Sequence, residues 1–168
     1  MTKPFPHLVG TAAVLLTIAG CSDLATESPL ANARKTPEAL AEAALEAIYA
    51  DDRDALAALL ITREEYETLV WPVLPDSRSV DFEFVWGISQ PRNRKARAEV
   101  LEDFNGIPLE VVSVDPGTDI EAYDEFVLYK EAILTVRRTD TGQEGRMGFM
   151  DVLIEMDGGW KFMNFKEG

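Results

Sequence analysis

Met156-Asp157-Gly158-Gly159-Trp160-Lys161-Phe162-Met163-Asn164-Phe165 is the stretch whose reading decides the fold. Asp-Gly-Gly between apolar residues predicts a tight hairpin, because glycine, and Asp more weakly, accept the positive φ that such turns need. Residues 160–165 then read as a last strand. Before the turn, Met150, Val152, Ile154 and Met156 form one apolar face. Asp151 and Glu155 share the opposite face with Met147, Phe149 and Leu153. Thr139-Asp140-Thr141-Gly142 is a further turn, and residues 125–138 ahead of it read as one long strand. Phe126, Leu128, Ala132, Leu134 and Val136 lie on one side of that strand. Val127, Tyr129, Ile133 and Thr135 lie on the other, so both faces are expected to be partly covered. With the short β-branched run 109–114, this predicts an antiparallel sheet of about four strands.

The text upstream is helical. Thr36-Pro37-Glu38 supplies an N-cap, a first-turn proline and an acid at the positive helix end. Leu40, Ala41, Ala44, Leu45 and Ile48 then recur at helical spacing. Asp51-Asp52 ends this helix and caps a second, short one with Leu56, Leu59 and Leu60 inward. Thr62-Arg63-Glu64-Glu65 is a capping box that opens a third helix, closed by Pro72 and Pro75. Residues 80–88 fit two templates. Alternation of Val80, Phe82, Phe84, Trp86 and Ile88 suits a strand, whereas Phe82, Val85, Trp86 and Ser89 suit a short helix, which is preferred. Pro91 is expected to start a separate helix, stopped by Asn105-Gly106.

The fold class is therefore α+β, with N-terminal helices packed against a curved antiparallel sheet. This order, with the closing phrase MDGGWKFMNF, resembles the NTF2-like superfamily over residues 36–168. The resemblance implies a cone-shaped domain with a pocket. The helical text at residues 62–88, where that family has early strands, departs from its pattern.

The first 20 residues read as a secretory leader, with Lys3 as a short positive region and an apolar run from Leu8 to Ala19. Ile18-Ala19-Gly20-Cys21 resembles the lipobox of bacterial lipoproteins. That resemblance implies cleavage before Cys21, acyl chains including palmitate on it, and residues 21–35 as a flexible tether between membrane and domain. Ser22 after the cysteine points, by the same resemblance, to the outer membrane of a Gram-negative host, facing the periplasm.

Removing residues 1–20 takes away Lys3 and the only histidine, His7. It leaves 15 basic against 30 acidic residues, a net charge of −15. That balance argues against nucleic acid, whose binding needs a basic footprint, and against lying flat on anionic lipid. With no histidine and an acylated cysteine, the mature chain has no histidine-based triad, thiol nucleophile or His/Cys zinc site. It carries no glycine-rich phosphate or dinucleotide motif, and no cofactor or metal is expected. Asp151 is the candidate general base, with a wet carboxylate as the simpler reading because buried lone acids are rare. Asp115, Asp119, Glu121, Asp124 and Glu125 crowd an acidic loop whose spacing matches no EF-hand. Arg92, Arg94, Lys95 and Arg97 form the basic cluster, at the expected helix start. Trp86, Phe149 and Trp160 are candidate pocket aromatics.

The expected function is a non-enzymatic, lipid-anchored envelope protein that binds a small apolar ligand or another envelope protein. The alternatives are a carboxylate-dependent isomerase or hydrolase of the SnoaL-like kind using Asp151, and a purely structural interaction partner.

Overall fold

The structure is a computed structural model that describes residues 28–166. Cys21, the leader and the first part of the expected tether lie outside the described residues. Helices come first. α1 (Pro37–Tyr49) is capped by Thr36, whose side chain accepts from Ala39 N at 3.1 Å. α2 (Arg53–Ala58) is capped in the same way by Asp52. α3 (Arg63–Glu65) carries the complete Thr62/Glu65 capping box and runs into a single π-turn, Tyr66–Val70.

α4 spans Phe82–Phe104 without interruption, capped by Asp81. Residues 80–88 are thus helical from Phe82 onward. The separate helix expected to begin at Pro91 does not exist, because Pro91 lies inside α4. A proline there lacks the N–H that the carbonyl four residues back would receive. The apolar faces on either side of it hold the helix together through packing on two different cores. The basic cluster consequently sits mid-helix, where the macrodipole penalty expected at a helix start does not apply.

The strands form two antiparallel sheets, one of three strands in the order β1-β4-β5 and one of four in the order β2-β3-β6-β7. β1 is Leu109–Asp115, β2 Asp119–Ala122, β3 Val127–Lys130, β4 Ile133–Arg138, β5 Glu144–Met147, β6 Met150–Met156 and β7 Gly159–Phe165. The long strand expected over residues 125–138 is therefore two strands in different sheets. Glu131 breaks the pleat with φ 61°, and its N–H donates to Asp151 O at 2.8 Å. On the partner side only Gly148 and Phe149 separate β5 from β6. The chain passes from sheet to sheet at both places, because β4 pairs with β5 and β3 with β6.

This bend divides the apolar faces between two cores. Ala132, Leu134 and Val136 pack under α1, α2 and the second half of α4, together with Leu40, Ile48, Leu56, Ala96, Leu101 and Phe162. Phe126 and Leu128 instead join Leu30, Tyr66, Val70 and Trp71 on the other side of the four-stranded sheet. The face expected to run continuously through Met150, Val152, Ile154 and Met156 is split likewise. The β6–β7 register shifts at Val152, so Met150 and Leu153 enter the first core while Ile154 and Met156 enter the second. β6 is covered on both faces, and each fully buried large apolar side chain there contributes about 1.5–3 kcal/mol.

The hairpin predicted at Asp157-Gly158-Gly159 is present. Asp157 (φ 50°) and Gly158 (φ 74°) form its two-residue turn, and Gly159 pairs with Met156. Beyond it, the outer edge of β7 is occupied by three different partners. Trp160 and Arg34 exchange backbone hydrogen bonds at 2.7 and 3.0 Å. Phe162 bonds Leu59 O and Ile61 N. Asn93 Oδ1 accepts from Phe165 N at 2.9 Å. An open edge is a template for aggregation, and this one is closed.

Residues 28–35 belong to this packing rather than to a free tether. Leu30 is buried, and Ser28 Oγ donates to Met156 O at 2.7 Å. A Cβ built on Gly159 would lie 2.3 Å from Ser28 Oγ, so the strap seats against a residue that must be glycine.

One ion pair joins these pieces. Lys161, fully buried in β7, donates to both carboxylate oxygens of Glu65, at 2.9 and 3.2 Å. Glu65 also accepts from Thr62 N and from Ala31 N, at 2.7 and 2.6 Å. Burial works to raise the Glu65 pKa. The Thr62 N–H, Lys161 and the Ala31 N–H outweigh it and hold the carboxyl below its ordinary range. Stability from this group is therefore present above the ordinary carboxylate range and is lost as pH falls through that range towards the lowered native value. We predict that Lys161→Met, which strands a buried carboxylate, costs about 3–5 kcal/mol in urea unfolding at neutral pH. The gap to the wild type should narrow as pH falls through the carboxylate range, because protonation removes the unpaired charge.

Candidate functional site

Side chains of the first core pack between the helices and the sheets, and the grooves described below lie at their margins. A groove of about 550 Å³ runs between the N-terminal half of α4 and the ends of β6 and β7. α4 supplies an apolar wall. Phe84 and Ile88, four residues apart on one helical face, are 63% and 43% exposed, and Val85 lies between them. Phe165 contributes from β7, backed by Phe149 and Phe162 at ring separations of 5.5 and 4.8 Å.

The opposite side of the groove is polar. Asp151 is half-buried, and Asn164 Nδ2 donates to its Oδ2 at 2.5 Å. Asn93, Arg92 and Lys166 complete that side. Asn93 is buried and serves as a bracket, since its Oδ1 takes the Phe165 N–H and sets the separation between α4 and β7. An ionised carboxylate only accepts hydrogen bonds, and Asn164 occupies one oxygen of Asp151. The other oxygen can accept a hydrogen bond from a donor group in the groove.

The residues expected to form a pocket do not converge. Trp86 packs with Tyr66 and Phe82 in the second core, at ring separations of 5.8 and 6.1 Å. Phe149 is buried behind Phe165. Trp160 packs on Tyr129 at 4.9 Å, towards the strap. Of the predicted site residues, Asp151 and Arg92 reach the groove. Phe84, one of several aromatics that the sequence offers for a pocket wall, reaches it too, whereas nothing in the sequence marks Ile88, Asn93 or Asn164 as site residues. The outward spacing of Phe84 and Ile88 was legible once residues 80–88 were read as helix, but the Asp151–Asn164 contact depends on the register shift at Val152, which leaves no pattern.

The acidic segment is partly strand. Glu121 in β2 bonds Lys130 and the Tyr123 hydroxyl, and its carboxyl is held below the usual range chiefly by Lys130. Among the described residues no group of three or more His, Cys, Asp or Glu is placed to hold a metal. No helix among them is long and apolar enough to cross a membrane.

No family model, characterised protein or solved structure matches this chain. We predict that Asn93→Ala, which leaves a buried backbone N–H without its acceptor, costs about 1–3 kcal/mol. Amide exchange should speed up most at Phe165, and a uniform change across β7 would argue against the bracket role.

Proposed function

We propose that the chain is a lipid-anchored cell-envelope protein of non-enzymatic role. In this reading an NTF2-like domain binds a small, largely apolar molecule in the groove between α4 and β7. The observation that carries it is the pair Phe84 and Ile88, exposed side by side at the rim of a groove of about 550 Å³. Large apolar side chains left in water beside a concavity of ligand size mark a binding surface. Asp151, Asn164 and Lys166 would hold the polar end of the occupant. The two places where the chain passes from one sheet to the other, β3 into β4 and β5 into β6, support the curved-sheet part of the NTF2-like reading. In this reading the occupant lies in the groove beside α4, since side chains of the first core pack between the helices and the sheets.

The SnoaL-like enzyme reading is less well supported, because Asp151 is half-exposed and already hydrogen-bonded. Anchoring rests on Ile18-Ala19-Gly20-Cys21, with Ser22 favouring the outer membrane, periplasmic side, in a Gram-negative host.

Native mass spectrometry of the purified full chain should reveal a co-purified small molecule. An anilinonaphthalene sulfonate dye should bind, and Phe84→Ser with Ile88→Ser should weaken that binding roughly tenfold with little loss of stability, since both side chains are exposed. Unchanged dye binding in the double variant would remove the groove from consideration. For the anchor, Cys21→Ala should abolish labelled-palmitate incorporation and release the protein from the membrane fraction; persistence of both would refute it.

A further inference from the structure

We propose that a second groove, between α2 and α4 and lined by Arg53, Arg94 and Arg97, is a binding site for a phosphate group. The groove holds about 290 Å³, with Ala57, Ala98 and Leu101 as its short and apolar lining and Asp54 as its one acid. That volume is at the lower edge of small-ligand sites, about 300–1,000 Å³, and suits a single anionic group rather than a large molecule.

The charge distribution is what singles it out. The chain carries 30 acidic against 16 basic residues, so an arginine here has carboxylates in excess to pair with. Arg63 pairs with Glu83, Arg137 with Glu110 and Glu144, and Arg138 with Asp140, whereas Arg34, Arg78, Arg92 and Arg146 form no ion pair among the described residues; what sets Arg53, Arg94 and Arg97 apart is that they line one groove together. Arg94 and Arg97 form no ion pair among the described residues. They lie three residues apart on α4, and Arg53 faces them from α2 with only a 3.9 Å contact to Asp51. Arg97 is half-buried, and among the described residues its hydrogen bond is from Nε to Asn93 O at 3.4 Å. Its remaining guanidinium donors have no acceptor among the described residues. Burial and then the neighbouring Arg94 charge pull its pKa below the ordinary arginine value. Three guanidinium groups against Asp54 in the groove and Asp51 beside Arg53 still leave a positive excess that an oxyanion would neutralise. The planar fork of arginine matches the oxygens of phosphate in a bidentate manner.

Phosphate chemistry of this kind is offered either by a free phosphate or by a phospholipid headgroup. The test uses the full chain carrying Cys21→Ala, so that acyl chains cannot contribute. Two probes are applied: inorganic phosphate by calorimetry, and phosphatidylglycerol vesicles by flotation, with phosphatidylcholine vesicles as the uncharged comparison. Saturable binding of either probe, weakened roughly tenfold by Arg94→Gln and by Arg97→Gln but not by Arg78→Gln on a remote turn, supports the site. Vesicle binding alone identifies a headgroup, and binding of inorganic phosphate alone identifies a free phosphate. Arg94 is exposed, so its variant retains the fold even where Arg97→Gln does not. Absence of binding to both probes, or an equal loss in Arg78→Gln, overturns the proposal.

Discussion

A buried ammonium with one buried carboxylate opposite it is the constraint on which the rest of this molecule depends. Lys161 has no exposed surface and sits in the last strand, facing the second core. A lone charge there would be too costly to keep. Glu65 answers it, and Glu65 is itself set by the Thr62 capping box at the start of α3. The second carboxylate oxygen position also receives the Ala31 N–H, so the N-terminal strap is drawn to the same point. Three segments far apart in the chain meet on one pair of side chains. Such a pair adds little net stability compared with apolar packing, but it fixes which segments meet.

That fixed meeting point makes β7 the organising strand. Its inner edge pairs with β6, and its outer edge is taken in turn by the strap, by the residues after α2 and by Asn93 of α4. One face lies against the first core through Phe162, and the other against the second through Lys161. Helix α4 serves both cores, and where it leaves the sheet near Phe165 the packing opens into a groove. Phe84 and Ile88 at that opening are two of the five large apolar side chains left exposed among the described residues, with Tyr49, Val112 and Ile120 scattered elsewhere.

Much of the local structure was legible without coordinates. The caps at Thr36, Asp52 and Thr62 and the turn at Asp157-Gly158 depend on residues a few positions apart, and the sequence displays them directly. The division of residues 125–138 into two strands was not legible. A non-glycine residue at positive φ, Glu131, carries no compositional signal, and the alternation of apolar residues continues across the break. The unbroken α4 was hidden for the opposite reason. Pro91 is a strong local stop signal that packing on both sides overrides.

The sequence by itself determined the class of the chain: helices first, an antiparallel sheet after, an acidic surface, no histidine beyond His7 and one cysteine in a lipobox-like context. These follow from composition and from interactions between near neighbours. Tertiary structure alone decided that Lys161 is buried, that residues 28–35 are part of the fold, and that Asp151 meets Asn164 at a groove walled by Phe84 and Ile88. Each of these is a contact between residues many positions apart. Such contacts depend on strand register and bend angle, and neither is encoded in any short window of the chain.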